Sequence, residues 1–372
     1  MPAVQALQVD VLVVGAGPAG AAFALNLAPF KNLLMIDAAA QPELRIGESL
    51  PAAAARLLAD MGLYDDFIRQ GHCPAQLNTS NWGGVGHVEQ DAMRNLDGHG
   101  WYLDRLQFDT WLQQAAQQRG AALLQQTKLL SFQRDPADKS CWLVELDSRG
   151  KLLTIQTRLM VDATGRKSLI ARRNGGNRRV HDKLSCSWII GQDHANTAGV
   201  SDLVAEAGGW WYTSSLPNQG RILAFYTDAD LPQAHATNHP IGLMNRLAFQ
   251  AALSQQLRDY GFEPGSQHGF CAAHSATLDR IAGDGWVAVG DAAISFDPLS
   301  SQGLFNALYT GLAAAEAASR HLAEGDAAWG DYRQEISRIQ LAYQHHLQAW
   351  YAEETRWPDQ LFWQRRQAGT SL

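Results

Sequence analysis

Four apolar residues, Val11-Leu12-Val13-Val14, run directly into Gly15-Ala16-Gly17-Pro18-Ala19-Gly20 and then into small apolar residues from Ala21 to Leu27. This pattern predicts a buried strand, a tight glycine turn and a closely packed helix. Leu33 to Ile36 repeats the buried-strand signature and ends on an acid, Asp37. Farther on, Leu129–Gln133, Cys141–Leu146 and Leu152–Thr157 predict a three-stranded meander joined by turn residues at 136–138 and 148–150. Leu159 to Gly165 and Trp286 to Asp291 read as further strands, as do Cys186–Gly191, Trp210–Ser214 and Arg221–Thr227. Between Asp331 and Trp350, the positions Ile336, Ile339, Tyr343, Leu347 and Trp350 recur at helical spacing and predict a long amphipathic helix. Val11 to Phe30 carries no charge for twenty residues, but its three glycines, Pro18 and Asn26 argue against a membrane span.

The order strand, glycine turn, helix gives the GxGxxG spacing a chemical meaning. Gly15 permits the tight turn, Gly17 lets a pyrophosphate approach the backbone, and Gly20 lets the helix pack on the strand. Pro18 and Ala19 open the helix, whose free N–H groups and partial positive charge favour phosphate. Asp37 lies 17 residues after Gly20 and can accept hydrogen bonds from both hydroxyls of an adenosine ribose. A dinucleotide is therefore expected here.

Composition narrows the class. A chain of 372 residues with 46% hydrophobic and 18% charged residues has room for two globular domains. A net charge of −7 argues against a nucleic-acid partner. The cysteines Cys73, Cys141, Cys186 and Cys271 lack metal-ligand spacing, so no metal is expected. Scattered thiols and the absence of a signal-peptide pattern in Met1–Asp10 lead to the expectation of a cytoplasmic enzyme.

A second set of motifs decides between dinucleotides. Trp286-Val-Ala-Val-Gly290-Asp291 and the following Asp297-Pro298-Leu-Ser-Ser-Gln302-Gly303-Leu304 resemble the second FAD motif of glutathione-reductase-like flavoproteins, as Leu159 to Thr164-Gly165 resembles their Ala-Thr-Gly strand. The resemblance implies an α/β fold: a glutathione-reductase-like FAD-binding Rossmann domain, a mixed-sheet substrate domain and a C-terminal helix. It implies a discontinuous FAD domain at residues 1–77, 101–180 and 270–325, a substrate domain at 78–100 and 181–269, and a helical segment at 326–372. In that family the equivalent of Asp291 binds the ribityl chain, and the helix after Pro298 aims Gln302, Gly303 and Leu304 at the flavin pyrimidine. Leu129, at the start of the meander, is a further expected cofactor contact. Arg45, with Glu48 and Ser49 after it, sits where hydroxylases of this superfamily carry a flavin-contacting arginine, and Arg105 opens a helix that resembles theirs.

Gly47-Glu-Ser-Leu-Pro51 and the tail Arg356-Trp…Phe362-Trp…Arg365-Arg366 are similar to flavin-dependent halogenases and their non-halogenating relatives. The chain lacks the halogenases' catalytic lysine: no lysine occurs from Asn32 to Thr127. The wording most resembles maturation flavoproteins of the lysine-oxidase and glycine-oxidase type, which take part in building cysteine tryptophylquinone. That resemblance implies a monooxygenase acting on a protein-bound tryptophan in the precursor of a quinoprotein oxidase. The alternatives are a hydroxylase of a free aromatic molecule, a halogenase, a geranylgeranyl-type reductase, and a flavin-stabilised assembly factor without turnover. Thr164-Gly-Arg-Lys-Ser168 keeps the glycine and serine of the hydroxylases' Asp-Gly-x-x-Ser motif but not its aspartate, so a separate flavin reductase is a possible electron source.

Trp188, Trp210, Trp211 and Tyr226 are the expected substrate-pocket aromatics on the sheet that roofs the flavin. Glu48 and His99 are the candidates for a catalytic acid or base. From Arg166 to Lys183, seven basic residues (Arg166, Lys167, Arg172, Arg173, Arg178, Arg179, Lys183) face one acid, Asp182. That run is either a solvated loop or a docking patch for an acidic partner or a nicotinamide nucleotide.

Overall fold

The charge-free segment falls on the buried second half of a strand, Leu7–Val14, and on a helix, Pro18–Leu27, that is almost wholly buried. The computed structural model describes residues 7–367 except Val85, His87, Met93, Arg94, Leu96 and Asn196. The expectation for the first residues therefore lies partly outside the described chain. Leu7–Val14 sits between Leu33–Ile36 and Lys151–Asp162 with all three strands parallel. Trp286–Ala288 and Ala122–Leu124 extend the sheet on either side. Small residues on Pro18–Leu27 let it lie against a 22-residue helix, Gly303–Glu324: a Cβ on Gly311 would come within 2.6 Å of the Ala19 carbonyl oxygen. A β-carbon there would force the helices apart.

The meander is present as Thr127–Arg134, Trp142–Ser148 and Lys151–Asp162. Its third strand and the Ala-Thr-Gly strand, which the sequence separates, are one strand of 12 residues. Arg158 breaks the apolar run without breaking the strand, because its guanidinium reaches out to the Leu322 carbonyl at 2.8 Å.

A second sheet of seven strands runs in the order Phe262–Ala272, Leu184–Asp193, Gly220–Asp228, Gly209–Ser215, Val200–Glu206, Leu77–Asn81, Val88–Asp91. The three expected strands are among them, each longer than the sequence indicated. One face is covered by three short helices, which bury Ile189, Trp211, Leu223 and Phe225. The opposite face meets the nucleotide-binding half of the molecule through Ile46 and Leu299.

The long amphipathic helix spans Trp329–Glu353. Its first half buries Trp329, Tyr332 and Ile336 in the main core, while Leu347 and Tyr351 near its end pack on the second sheet. A final helix, Leu361–Gln367, turns back onto that same face. Among the described residues no helix is long and apolar enough to cross a membrane.

Candidate active site

The glycine turn forms as its spacing requires. Gly15 has φ +104°, and a Cβ there would lie 2.2 Å from the Ala163 carbonyl oxygen, while one on Gly20 would lie 2.0 Å from the Gly15 oxygen. A Cβ on Gly17 would meet nothing within 4 Å. The backbone is thus closed on the protein side and open on the side where a pyrophosphate fits, above the first turn that starts with Pro18 and Ala19. Asp37 accepts the Ala16 N–H at 2.8 Å and the Ala39 N–H at 2.9 Å, one at each carboxylate oxygen. Each oxygen keeps a further lone pair for a ribose hydroxyl. Gly17, Asp37, Arg45, Asp109 and Gln113 line one cleft, and Leu129 lies buried in the adjacent meander strand. Arg45 therefore stands at the nucleotide end of the site.

Arg105 has another task. Four of its five N–H groups bond within the chain: to the Ile46 and Gly47 carbonyls at 3.1 and 2.9 Å, and to Asp109 at 3.2 and 3.1 Å. It fastens the loop that carries Arg45 and Glu48, whereas the sequence assigned it to the cofactor itself. Ser49 follows in a two-residue strand paired with Tyr102.

Thr164 and Gly165 are shaped by Asp162, which the sequence reading passed over. Its buried carboxyl accepts from the Thr164 N–H and hydroxyl and from the Ala171 N–H, and burial raises its pKa. Gly290, at φ +57°, leaves no room for a Cβ against Ala19. Beside it, half-buried Asp291 faces Arg166 at 3.4 Å. Pro298 opens a short turn, after which the first bond of the long helix runs from Asn306 N–H to the Gln302 carbonyl at 2.9 Å. The N–H groups of Gly303, Leu304 and Phe305 therefore have no intrahelical acceptor, and the positive end of 22 residues of helix is exposed at Gly303.

Asp297, immediately before that turn, is the second residue the sequence reading passed over. Its carboxylate accepts the Leu299 N–H at 2.9 Å and the Tyr351 hydroxyl at 2.7 Å, and its own N–H bonds to Tyr343. Burial first, and Asp182 second, push its pKa up to about 7. An acid just before a proline at a helix entrance was the available signal.

On the second sheet, Trp188, Trp210 and Tyr226 share the face toward this turn, together with Tyr212, Cys186 and Cys271. Trp210 stacks on Tyr226 with centroids 3.8 Å apart. Trp211 does not join them. Neighbouring residues on a strand point oppositely, and Trp211 faces the helices with its indole N–H on Glu206 at 2.9 Å. Tyr212, two residues from Trp210, takes the place that Trp211 was expected to hold. The C-terminal segment closes this face: Trp363 is fully buried, bonds the Glu206 carbonyl at 2.9 Å and packs edge-on against Trp82. Arg365 and Arg366 anchor it through Asp228 at 2.8 and 2.7 Å.

Glu48 is buried where the Ile46–Ser49 loop meets that face. One carboxylate oxygen accepts the Ser214 hydroxyl at 2.9 Å and the other the Gly47 N–H at 3.0 Å. Burial first, and the Glu48 charge second, raise the Tyr212 phenol well above its ordinary value. His99 is outside the site. It is exposed, rests edge-on against Trp101 at 5.0 Å, and its ring nitrogen lies 2.9 Å from its neighbour's carbonyl.

The basic run divides. Arg178 is internal, bonding Ser168, Ser295 and the Asp291 carbonyl. Arg166 faces Asp291, and Lys183 pairs with Asp230 at 2.7 Å. Besides the paired Lys183, Lys167, Arg172, Arg173 and Arg179 are exposed, so four cations remain for a surface patch where the sequence counted seven.

Residues 8–307 match the family described as FAD binding domain. Across 371 residues and 98% of both chains the protein is 30% identical to LodB of Marinomonas mediterranea, whose name describes an FAD-dependent oxidoreductase. The myxobacterial chondrochloren halogenase CndH superposes with a TM-score of 0.85 at 21% identity, over 97% of this chain and 86% of that one. The peptidyl tryptophan dihydroxylase QhpG, essential for tryptophylquinone cofactor biogenesis, superposes at 0.75 with 23% identity, over 97% and 79%. At such identities the two structures establish a shared fold.

Proposed function

The chain belongs to the FAD-binding-domain family and is a FAD-dependent enzyme; from that premise we propose that it hydroxylates a tryptophan side chain within a partner protein, during maturation of a tryptophylquinone-containing oxidase. The observation that carries this reading is Glu48, a buried carboxylate held by the neutral donors Ser214 and Gly47 beneath an aromatic face. Such a group can take the proton that an electron-rich indole releases as oxygen is added.

The residues present fit FAD. The open side of Gly17 and the helix N-terminus at Pro18 would hold its pyrophosphate, Asp37 the adenosine ribose and Asp291 the ribityl chain. The unbonded N–H groups at Gly303 and Leu304 would face the flavin pyrimidine. Bound and reduced, FAD supplies two electrons to dioxygen, so that one oxygen atom enters an aromatic C–H bond and the other leaves as water. The aromatic face and the docked C-terminal segment orient the ring and exclude water. Ser168 is fully buried against the Ala292 carbonyl, which favours a separate reductase over a nicotinamide bound at the Thr164–Ser168 turn.

QhpG, described as a peptidyl tryptophan dihydroxylase, supports a protein substrate. The four exposed cations offer it an electrostatic approach. Halogenation is disfavoured: Lys128, Lys139, Lys151, Lys167 and Lys183 are all exposed and Lys31 lies beyond the first helix, so no ammonium stands beside the aromatic face to hold hypohalous acid. The test is co-expression with a candidate quinoprotein-oxidase precursor, followed by peptide mass spectrometry. Added oxygen on one partner tryptophan, absent with Glu48→Gln, supports the reading. Unmodified partner alongside turnover of free indole or tryptophan would replace it with a small-molecule hydroxylase.

A further inference from the structure

Two of the four thiols face each other. Leu184–Asp193 and Phe262–Ala272 pair antiparallel in the register Ser185↔Ala272, Cys186↔Cys271, Ser187↔Phe270. Residues directly opposite in such a ladder have Cα atoms about 4.5–5.5 Å apart and side chains on the same face. That spacing lies inside the roughly 4.4–6.8 Å window a disulfide requires. Both thiols belong to the aromatic face with Trp188, Trp210 and Tyr226, on the side that meets Ile46 and Leu299. On its other side Cys186 stands directly opposite Tyr226 in the ladder with Gly220–Asp228.

The pair is unequal. Cys186 is fully buried and burial raises its pKa; Cys271 is half-buried and its pKa is lowered, first by the Cys186 thiol opposite it, with the Arg166 charge assisting. An accessible thiol with thiolate character beside a buried partner is the division of labour between an attacking and a resolving cysteine. The other two cysteines lack it. Cys141 donates to Asp138 at 3.3 Å, and Cys73 lies buried beside the Tyr102 strand; both have raised pKa values.

We propose that Cys186 and Cys271 form a reversible dithiol–disulfide couple in the wall of the active-site cleft, oxidised by hydrogen peroxide. The oxidant is the by-product expected wherever reduced flavin meets dioxygen without substrate, so the couple sits beside its source and does not depend on which substrate is hydroxylated. The Cys271 thiolate attacks one peroxide oxygen, the O–O bond breaks, one water leaves and a sulfenic acid remains. The Cys186 thiol then attacks the Cys271 sulfur, the S–O bond breaks, and the second water leaves as the S–S bond forms. Two thiols are oxidised and one peroxide is reduced to two waters. Because Cys271 is half-buried on an edge strand, small dithiols reach the bridge and reduce it.

The test is made on the FAD-loaded protein, reduced, desalted and exposed to a small excess of hydrogen peroxide, with no substrate present. Free thiols are alkylated under denaturation before and after dithiothreitol, and the peptides are mapped by mass spectrometry. The expected result is joint loss of alkylation at Cys186 and Cys271, a linked peptide pair lighter by two hydrogens, full recovery with dithiothreitol, and unchanged Cys73 and Cys141. In Cys186→Ser, Cys271 should instead take up two or more oxygen atoms beyond recovery by dithiothreitol. The proposal is overturned if wild-type Cys271 oxidises irreversibly without a link, or if the pair stays reduced while Cys73 or Cys141 reacts or all four thiols survive.

Discussion

Asp297→Asn should make the apoprotein more stable at neutral pH and leave it unchanged in acid. The wild-type carboxyl is raised to about 7, by burial first and by Asp182 second. A carboxyl raised on folding binds its proton more tightly in the native than in the unfolded state. Unfolding free energy therefore falls as pH climbs from the unfolded value near 4 to about 7, and is flat beyond. The displacement from 3.8 to about 7, at ~1.4 kcal/mol per pH unit, is on the order of 4 kcal/mol. Asparagine keeps an oxygen for the Leu299 N–H, and its amide N–H donates to the Tyr351 hydroxyl, which turns from donor to acceptor, so the turn and its contact with the C-terminal segment survive. With an unfolding entropy of ~2 cal/mol/K per residue over 372 residues, the gain at pH 8 corresponds to about 5 °C in Tm. Calorimetry on FAD-free protein at intervals from pH 4 to 8 reads this directly, since bound cofactor would add its own linkage. Parallel Tm profiles for the two proteins would refute the reasoning, because they would mean that Asp297 is ionised in the native state across the whole range.

Gly17→Val should fold, since its Cβ meets nothing within 4 Å, yet it should lose FAD by two to four orders of magnitude if two charge-assisted bonds of about 1.5–3 kcal/mol are blocked; Gly15→Ala, with its Cβ 2.2 Å from a carbonyl, should lose the fold as well, and circular dichroism with flavin content separates the two. Trp363→Ala empties a fully buried site and should cost about 3–5 kcal/mol, read by denaturant titration together with faster proteolysis of the C-terminal segment. Arg172→Glu with Arg173→Glu should slow partner modification roughly tenfold at low salt and not at high salt, with FAD content unchanged; equal rates at low salt would leave those cations as a solvated surface. With reduced flavin, dioxygen and bromide, no brominated indole or tryptophan should form, and finding one by mass spectrometry would mean that another group replaces the missing lysine.

The nucleotide half was legible because its constraints are local. Gly20 must be glycine because the Gly15 oxygen, five residues earlier, leaves it no room, Gly15 because its own φ is +104°, and Asp37 ends its strand wherever that strand pairs. The long strand was misread because one charged residue, Arg158, interrupts the apolar run while its head bonds the Leu322 carbonyl on the surface helix. Arg105 shows another limit. Its place at a helix start was readable, but its saturation by Ile46, Gly47 and Asp109 depends on a loop 58 residues away.

The substrate side was less legible because everything there turns on which of two sheet faces a residue occupies. Alternation fixes Trp210 and Tyr212 on one face and Trp211 on the other, but sequence alone does not say which face the cofactor half covers. That is decided by the chain's last described turns, where Trp363, Arg365 and Arg366 dock on the Trp210 face through Glu206 and Asp228. The strand bearing Cys271 was invisible for a simpler reason: Phe262–Ala272 holds Pro264 and two glycines and is mostly exposed, so it lacks any apolar alternation. It is an edge strand, held by the Leu184–Asp193 ladder rather than by burial of its own side chains. A pair of thiols 85 residues apart becomes a pair only through that ladder. The local motifs therefore fixed the cofactor, while the groups with the most specific chemistry, Glu48 under Ser214 and Cys186 beside Cys271, emerge only once the second sheet is folded against the first.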